Sequence, residues 1–177
     1  LESKKSFQKS DFGLSEDTFV FACFNANNKI TLDEFEIWMR LMKKIENSVL
    51  WLYKSNNYSL MNLKKEAKKQ GIQSKRIIFA DSLPNEEHLS RIKFADLFLD
   101  TFNYNAHTTA SDALWAGIPI ITKQGKSFSA RVCSSLLTAL NLEELVTQDN
   151  AEYENLAYKI ASDKSYLMSI RERLKEE

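Results

Sequence analysis

Short apolar segments alternate with amphipathic segments along most of this 177-residue chain. The apolar segments are rich in β-branched and aromatic residues and are bounded by polar turns, which is typical of strands. The predicted strands are Thr18–Phe24, Ser48–Tyr53, Arg76–Ala80, Leu97–Asp100, Ile118–Thr122 and a short segment near Glu144–Thr147. Strands that are apolar throughout and separated by helices favour a parallel sheet with helices on both faces. The sequence therefore predicts an α/β fold.

Helix signals fill the segments between the predicted strands. Thr31 and Glu34 form the spacing of a capping box, which marks the start of a helix. Residues 127–140 are predicted to form one helix. Two further helices, from about Asn150 and about Asp163, are predicted to end the chain, the second with Asp163 as its N-cap.

The chain is predicted to consist of a connector and one domain. Residues 1–17 are polar and mixed in charge, and we interpret them as the connector. Residues 18–177 contain all predicted strands and form the predicted ligand-binding domain. Because the sequence begins with Leu1 rather than Met and no signal-peptide pattern follows, we expect a piece of a longer protein.

Composition limits the possible partners. Lys plus Arg and Asp plus Glu both number 24, so the net charge is zero and a nucleic-acid partner is not expected. Two cysteines provide neither a disulfide framework nor a metal cluster. The sequence has no run of about 18 apolar residues, so no membrane span is expected. We expect a cytoplasmic protein.

A polar turn between the fourth predicted strand and the next helix carries the strongest functional signal. Ligands of parallel sheets bind outside the carboxyl ends of the strands. The turn contains His107, Thr108 and Thr109. Backbone N–H groups and hydroxyls at a helix start suit a phosphate, although the two threonines could simply cap the helix. Asp112 follows about one turn later, where it could accept hydrogen bonds from the sugar of a nucleotide.

Three more polar residues are predicted at the same edge of the sheet. Lys29 could pair with a phosphate as a point charge, or it could be a solvated surface lysine. His88 and Arg91 are three residues apart on a predicted helix, so they share a face and could flank a planar base. The ordinary alternative for Arg91 is an exposed side chain paired with Glu87. The sequence has no Gly-rich NAD or ATP fingerprint.

The cysteines and tryptophans are interpreted as packing residues. Cys23 and Cys133 fall inside a predicted strand and a predicted helix, where they act as small apolar groups. Trp38, Trp51 and Trp115 fall on predicted buried faces.

Taken together, several segments resemble the O-linked N-acetylglucosamine (O-GlcNAc) transferase family. They occur in the order of that family and close to its spacing, from about Asp11 to Leu174, and so cover nearly the whole chain. The shared segments are Asp96–Thr101, Asn105–Pro119, Phe12–Leu14, Phe24-Asn25 with Lys29-Ile30, Ser48–Leu52, Arg76–Phe79, Glu86–His88 with Arg91, and Ala130–Val132 with Ser135.

The resemblance implies the C-terminal, donor-binding half of a GT-B glycosyltransferase, in which two Rossmann-like halves face each other across a cleft. It implies transfer of a sugar, N-acetylglucosamine first of all, from a UDP-sugar to Ser or Thr hydroxyls of a protein, with inversion and without a metal or other cofactor. The protein acceptor would bind through the N-terminal half, and tetratricopeptide repeats usually precede that half. The chain alone would then be an inactive fragment.

The resemblance also implies roles for individual residues. Lys29 matches a lysine that contacts the diphosphate and stabilises its developing charge. His107, Thr108 and Thr109 match the turn that holds the phosphates, with Lys29 and His107 as the catalytic pair. Asp112 matches the carboxylate on the ribose hydroxyls.

Two matches and two departures concern the nucleoside side of the site. His88 and Arg91 match residues near the uracil. Ala26 replaces a glutamine of a family member, and Asn85 replaces a lysine. These positions lie beside the diphosphate and the nucleoside, so their loss bears on rate, on tightness of binding and on the identity of the sugar.

Two alternatives stay open at this point. The donor half of a transferase that places glucose on Asn of a protein, or that acts on a glycan, would look alike. The chain could also be a UDP-binding or interaction module that has lost catalysis, and the Ala26 and Asn85 departures favour this second alternative slightly.

Overall fold

The computed structural model describes residues 5–176, and a six-stranded parallel sheet lies at its centre. The strands are β1 (Phe19–Cys23), β2 (Ser48–Tyr53), β3 (Ile77–Ala80), β4 (Leu97–Leu99), β5 (Ile120–Lys123) and β6 (Val146–Thr147). Their order in the sheet is β3-β2-β1-β4-β5-β6, and all neighbours are parallel. The predicted α/β fold with a parallel sheet is confirmed.

Seven α-helices are present within residues 5–176. They are α1 (Leu32–Lys44), α2 (Asn57–Lys69), α3 (Asn85–Ile92), α4 (Thr108–Trp115), α5 (Val132–Ala139), α6 (Asn150–Ser162) and α7 (Lys164–Glu176). Short 3-10 helices are formed by Lys9–Phe12, Asn27–Lys29, Ser74–Arg76, Phe128–Ala130 and Glu143–Leu145.

The helix starts follow the predicted capping chemistry. Thr31 is the N-cap of α1, and its side chain and that of Glu34 form the two halves of a capping box. The Asp149 side chain accepts a hydrogen bond from the backbone N–H of Glu152 at the start of α6. Asp163 accepts in the same way from the backbone N–H of Tyr166 at the start of α7. These bonds satisfy N–H groups that the helix itself leaves without a partner.

The prediction of one helix over residues 127–140 is wrong. The segment forms the 3-10 helix Phe128–Ala130 and then α5, with a break at Arg131. The Ser127 hydroxyl accepts a hydrogen bond from the backbone N–H of Ala130, which caps the start of the 3-10 helix. Arg131 has φ −127°, which does not continue a helix.

The core confirms the interpretation of two of the three tryptophans. Trp38 and Trp51 are fully buried, whereas Trp115 is 63% exposed. The prediction for Trp115 is wrong because α4 buries the face that carries Ala110, Ala113 and Leu114, and Trp115 lies off that face. Both Cys23 and Cys133 are buried and free, as predicted.

Part of the predicted connector packs against the domain. The Phe12 ring lies 5.4 Å from the Trp51 ring and 6.0 Å from the Phe94 ring, and Leu14 is buried in the core. Residues 1–4 lie outside the described residues. The boundary at residue 17 stays a prediction.

Candidate active site

The strand order creates a crevice between β1 and β4. The chain proceeds outward from β1 through β2 to β3 on one side, and from β4 through β5 to β6 on the other. Loops that leave adjacent strands in opposite directions separate at the carboxyl edge, and this is where ligands of open α/β sheets bind. The loop after β1 carries Lys29, and the loop after β4 carries His107. The topology therefore brings two predicted site residues, far apart in sequence, to one place.

A cavity of ≈ 240 Å³ lies at this edge and gathers four of the predicted residues. These are His88 and Arg91 from α3 and Thr109 and Asp112 from α4. The remaining lining residues are Phe24, Ala26, Tyr53, Ser82 and Leu83. Lys29, His107 and Thr108 do not line the cavity itself.

A larger cavity at the opposite edge of the sheet lacks this chemistry. It has a volume of ≈ 630 Å³ and lies near the first residues of β2 and β3. The guanidinium of Arg76, which lines it, donates to the backbone oxygens of Met42, Ile45 and Ser48. Since this cation is already engaged by the fold, the smaller cavity is the better candidate for the site.

His88 and Arg91 form one unit on the wall of the cavity. Arg91 is buried and donates from Nε to Nδ1 of His88 at 3.3 Å and from Nη1 to the backbone oxygen of Asp81 at 2.6 Å. The Phe24 ring lies 5.1 Å from the His88 ring and 5.4 Å from the Arg91 guanidinium carbon. The alternative of an exposed Arg91 paired with Glu87 is wrong, because Glu87 pairs with Lys5 instead.

The surroundings of His88 keep its imidazole neutral. Burial, together with the adjacent Arg91 charge, lowers the pKa of His88 from 6.5 to about 4. Because Nδ1 accepts from Arg91, the proton of the neutral ring resides on Nε2. At neutral pH this N–H can donate to a carbonyl oxygen, such as those of a pyrimidine base.

Asp112 and Thr109 face the cavity from the first turns of α4. Burial raises the pKa of Asp112. Within residues 5–176 its carboxylate makes no hydrogen bond or ion pair. The Thr109 hydroxyl donates to Oδ1 of Asn25 at 2.6 Å, which ties the start of α4 to the end of β1. A carboxylate without a protein donor is suited to accept hydrogen bonds from ligand hydroxyls.

Lys29 and His107 meet at an aromatic ring that the sequence analysis did not single out. The Lys29 Nζ lies 3.9 Å from the centre of the Tyr104 ring, and the His107 ring stacks on Tyr104 at 4.9 Å. Lys29 also donates to the backbone oxygen of Asn105 at 3.4 Å. Burial lowers the pKa of Lys29, while the Asp100 charge opposes this shift.

The N-terminus of α4 is open to a ligand. His107 is the N-cap residue, and its side chain makes no capping hydrogen bond. Its Nε2 atom is buried without a hydrogen-bond partner among the described residues, as is Oδ1 of Asn105. Thr108 is exposed at the first position of the helix. Uncapped N–H groups and the helix dipole together favour an anion at this point.

Asp100 fixes the loops around this helix start. Its carboxylate accepts from the backbone N–H groups of Thr101 at 2.9 Å and Ala106 at 2.6 Å, and from the Thr122 hydroxyl at 2.6 Å. The Asn25 amide donates to the Thr101 hydroxyl at 2.8 Å. This buried network joins the ends of β1, β4 and β5.

The Asp100 carboxyl is fully enclosed, and this changes its titration. Burial raises the pKa of Asp100 to about 7, although its hydrogen bonds act in the opposite direction. The sequence showed an aspartate at the end of an apolar strand, which is a signal for a structural carboxyl. Its partners, such as Asn25 and Thr122, come from distant segments and carried no signal of their own.

Comparison with known proteins identifies the chain. Residues 5–177 match the family model described as glycosyl transferase family 41. The chain belongs to glycosyl transferase family 41. The family 41 chain is 36% identical over 176 residues to the probable UDP-N-acetylglucosamine–peptide N-acetylglucosaminyltransferase SEC of Arabidopsis thaliana, which covers 99% of this chain and 18% of that protein.

Solved structures support the same assignment to family 41. An O-GlcNAc transferase mutant of Thermobaculum terrenum matches with a TM-score of 0.86 and 28% identity, over 90% of this chain and 31% of that chain. The C-terminal domain of a group 1 glycosyl transferase, LpcC of Francisella tularensis, matches with a TM-score of 0.67 and 13% identity, over 89% of this chain and 83% of that one, and shows the fold alone. The resemblance to the O-GlcNAc transferase family and the Rossmann-like, GT-B type of fold are confirmed.

The family 41 chain spans less than a fifth of its Arabidopsis relative. Across residues 5–176, no helix is long and apolar enough to cross a membrane. In that same range, no group of three or more His, Cys, Asp and Glu side chains is placed to hold a metal ion.

Proposed function

We propose that this chain is the donor-binding half of an inverting, metal-independent glycosyltransferase. It takes a UDP-sugar, N-acetylglucosamine first of all, and the acceptor is a Ser or Thr hydroxyl of a protein that binds through the other half, in the cytoplasm. The Arabidopsis relative is named for transfer from UDP-N-acetylglucosamine to a peptide, and the T. terrenum relative for transfer of O-GlcNAc; the first supports the donor and the acceptor class, and the second supports the sugar. The observation that carries the proposal is the single cavity that combines His88, Arg91, Thr109 and Asp112 beside the open start of α4.

In this proposal the uridine lies against His88 and Arg91. The neutral imidazole and the buried guanidinium offer N–H donors to the base, and the Phe24 ring holds both groups in place. The Asp112 carboxylate accepts from the ribose hydroxyls. The nucleoside then contacts α3 through its base and α4 through its ribose.

The diphosphate lies at the start of α4. The acceptor oxygen attacks the anomeric carbon and gives up its hydroxyl proton to solvent, while the bond from that carbon to the diphosphate oxygen breaks and UDP leaves with the electron pair. Lys29, His107, the Thr108 hydroxyl and the free backbone N–H groups of Thr108 and Thr109 stabilise the negative charge that develops. A preorganised cation and helix dipole act here without the reorganisation that water would need.

Calorimetry with UDP tests the proposal. We expect UDP binding in the presence of EDTA, and a loss of at least tenfold in affinity for Asp112→Asn, since a charged acceptor of hydrogen bonds is worth about 1.5–3 kcal/mol. Exposed Asp33 provides a matched control, because Asp33→Asn lies on α1 outside the cavity and should leave UDP binding unchanged.

The outcomes separate the proposed enzyme from its alternatives. Absence of UDP binding would contradict the donor site. If a longer protein that contains both halves binds UDP but transfers no sugar, the result would favour a binding module. The structural argument for that alternative is Ala26, which is exposed at the cavity in place of a polar side chain. Transfer of glucose to Asn would favour the alternative of an Asn-directed glucosyltransferase. The anomeric configuration of the product tests whether the reaction inverts.

A further inference from the structure

The Tyr104 ring contacts both Lys29 and His107. Its ring lies 3.9 Å from the Lys29 ammonium nitrogen and stacks on the His107 imidazole with an angle of 24° between the planes. Tyr104 is 44% exposed, so much of the ring remains accessible at the carboxyl edge of the sheet. A large aromatic side chain at a ligand-binding edge, in contact with two functional groups, calls for an explanation beyond core packing.

The backbone that carries Tyr104 is held firmly on both sides. The Thr101 hydroxyl donates to the backbone oxygen of Tyr104 at 2.6 Å. The next residue, Asn105, donates from its backbone N–H to the oxygen of Ser129 at 2.8 Å, and the N–H of Ala106 donates to Asp100 at 2.6 Å. The ring is therefore presented from a fixed loop.

Lys29 depends on this ring for its position. Its side chain is part-buried, and it forms no ion pair with a carboxylate among residues 5–176. Its single hydrogen bond to the protein, to the backbone oxygen of Asn105, is long at 3.4 Å. The face of an aromatic ring attracts an ammonium group through its quadrupole, and the attraction grows as water is excluded.

We infer that Tyr104 is a positioning residue that holds the Lys29 ammonium and the His107 ring at the diphosphate position before the ligand arrives. The inference rests on the proposed function, because it assigns Tyr104 to the phosphate side of the same donor site. The ring supplies an attraction without a negative charge. A carboxylate in its place would pair with Lys29 and repel the diphosphate, whereas the ring leaves the cation free to meet it.

Two substitutions and two ligands test this inference. Tyr104→Phe keeps the ring and removes the hydroxyl, so we expect UDP affinity within twofold of the natural protein. Tyr104→Leu removes the ring, and we expect UDP binding to weaken about fivefold to tenfold. Uridine lacks the phosphates that Lys29 would contact, so its affinity, followed by NMR titration, should be unchanged in both variants. General damage to the fold would weaken both ligands.

Tyr158→Leu is the matched control. Tyr158 is 42% exposed and has a lysine, Lys44, 5.7 Å from its ring centre, but it lies on α6 and does not line the cavity. We expect no change in UDP affinity for this variant. A loss equal to that of Tyr104→Leu would overturn the inference.

NMR of the protein without ligand keeps the inference testable if Tyr104→Leu does not fold. The Lys29 ammonium nitrogen lies over the Tyr104 ring at 3.9 Å, so the ring current should move the adjacent ε-methylene protons upfield in the natural protein and in Tyr104→Phe. Shifts typical of a solvated lysine would overturn the inference. If Tyr104→Leu binds UDP as tightly as the natural protein or more tightly, only the inference about Tyr104 is overturned. If the natural protein does not bind UDP, the proposed function is overturned as well.

Discussion

At the scale of single residues, the candidate site contains a charged side chain and a neutral one in different environments. Lys29 is a cation with no carboxylate partner among the described residues, whereas His88 is held neutral by burial and by the Arg91 charge. The first arrangement suits the phosphates of a nucleotide, and the second suits an uncharged base. In the proposed function one nucleotide uses both environments.

Lys29→Ala tests the charged side. We expect the turnover of the intact enzyme to fall about a hundredfold or more, because removal of one preorganised donor at a developing negative charge costs about 3 kcal/mol of transition-state stabilisation. The measurement is the rate of UDP release at saturating donor. Lys65→Ala, at an exposed position on α2, is the control for loss of a positive charge. Near-normal turnover of Lys29→Ala would contradict the role of this lysine.

His88→Gln tests the neutral side through the pH dependence of stability. The folded pKa of His88 is about 4, below the ordinary value of 6.5, so the unfolded chain binds more protons between these values. The free energy of unfolding should therefore decrease as the pH falls from about 6.5 to 4. Urea titrations across this range should show a smaller decrease for His88→Gln. The same slope in both proteins would contradict the assigned environment of His88.

At the scale of elements, the sequence predicted what local patterns encode. β2 was predicted with its observed bounds, Ser48–Tyr53, because its apolar run is flanked by polar residues on both sides. The break at Arg131 was missed, since it depends on the backbone angles of that residue and on a short 3-10 helix capped by Ser127, which apolar periodicity does not report. The Tyr104 contacts were missed because they depend on a loop conformation set by Asp100, and no spacing rule reports such a contact.

Asp100→Asn tests the buried connection between β1, β4 and β5. The folded pKa of Asp100 is about 7, above the ordinary value of 3.8, so the folded state binds more protons between these values. Its contribution to the free energy of unfolding is present below about pH 4 and is lost as the pH rises through 7. An asparagine can keep the hydrogen bonds from Thr101 and Ala106 without this titration. The free energy of unfolding, measured by denaturation at pH 5 and pH 7.5, should therefore decrease less between these pH values in Asp100→Asn than in the natural protein. An identical decrease in both proteins would contradict the prediction.

At the scale of the whole molecule, the fold gathers the candidate residues at the carboxyl edge of the sheet. The candidate residues were predicted from sequence as separate signals, and the strand order is what gathers His88, Arg91, Thr109 and Asp112 around one cavity. The resemblance to the O-GlcNAc transferase family carried the residue roles, because a histidine or threonine pattern alone has several ordinary interpretations. Apolar periodicity did not predict the exposure of Trp115, which is 63% exposed despite its apolar neighbours.

The isolated chain should bind UDP weakly and transfer no sugar. The proposed donor site lies at an open edge of the sheet, and the proposed acceptor side belongs to another part of the protein. An assay with UDP-N-acetylglucosamine and a Ser/Thr peptide should give product for a longer protein with both halves and none for these 177 residues. Measurable transfer by the chain alone would contradict the half-enzyme proposal.

The reversal of strand order between β1 and β4 also bears on how such a protein can change over time. The opening arises from the path of the backbone, so its location does not depend on which side chains surround it. In the proposed function, substitutions in the loops, such as alanine at position 26 or tyrosine at position 104, would change the contacts to the donor while the place of binding stays the same. Lineages with this backbone would then diversify in donor choice without first inventing a new pocket.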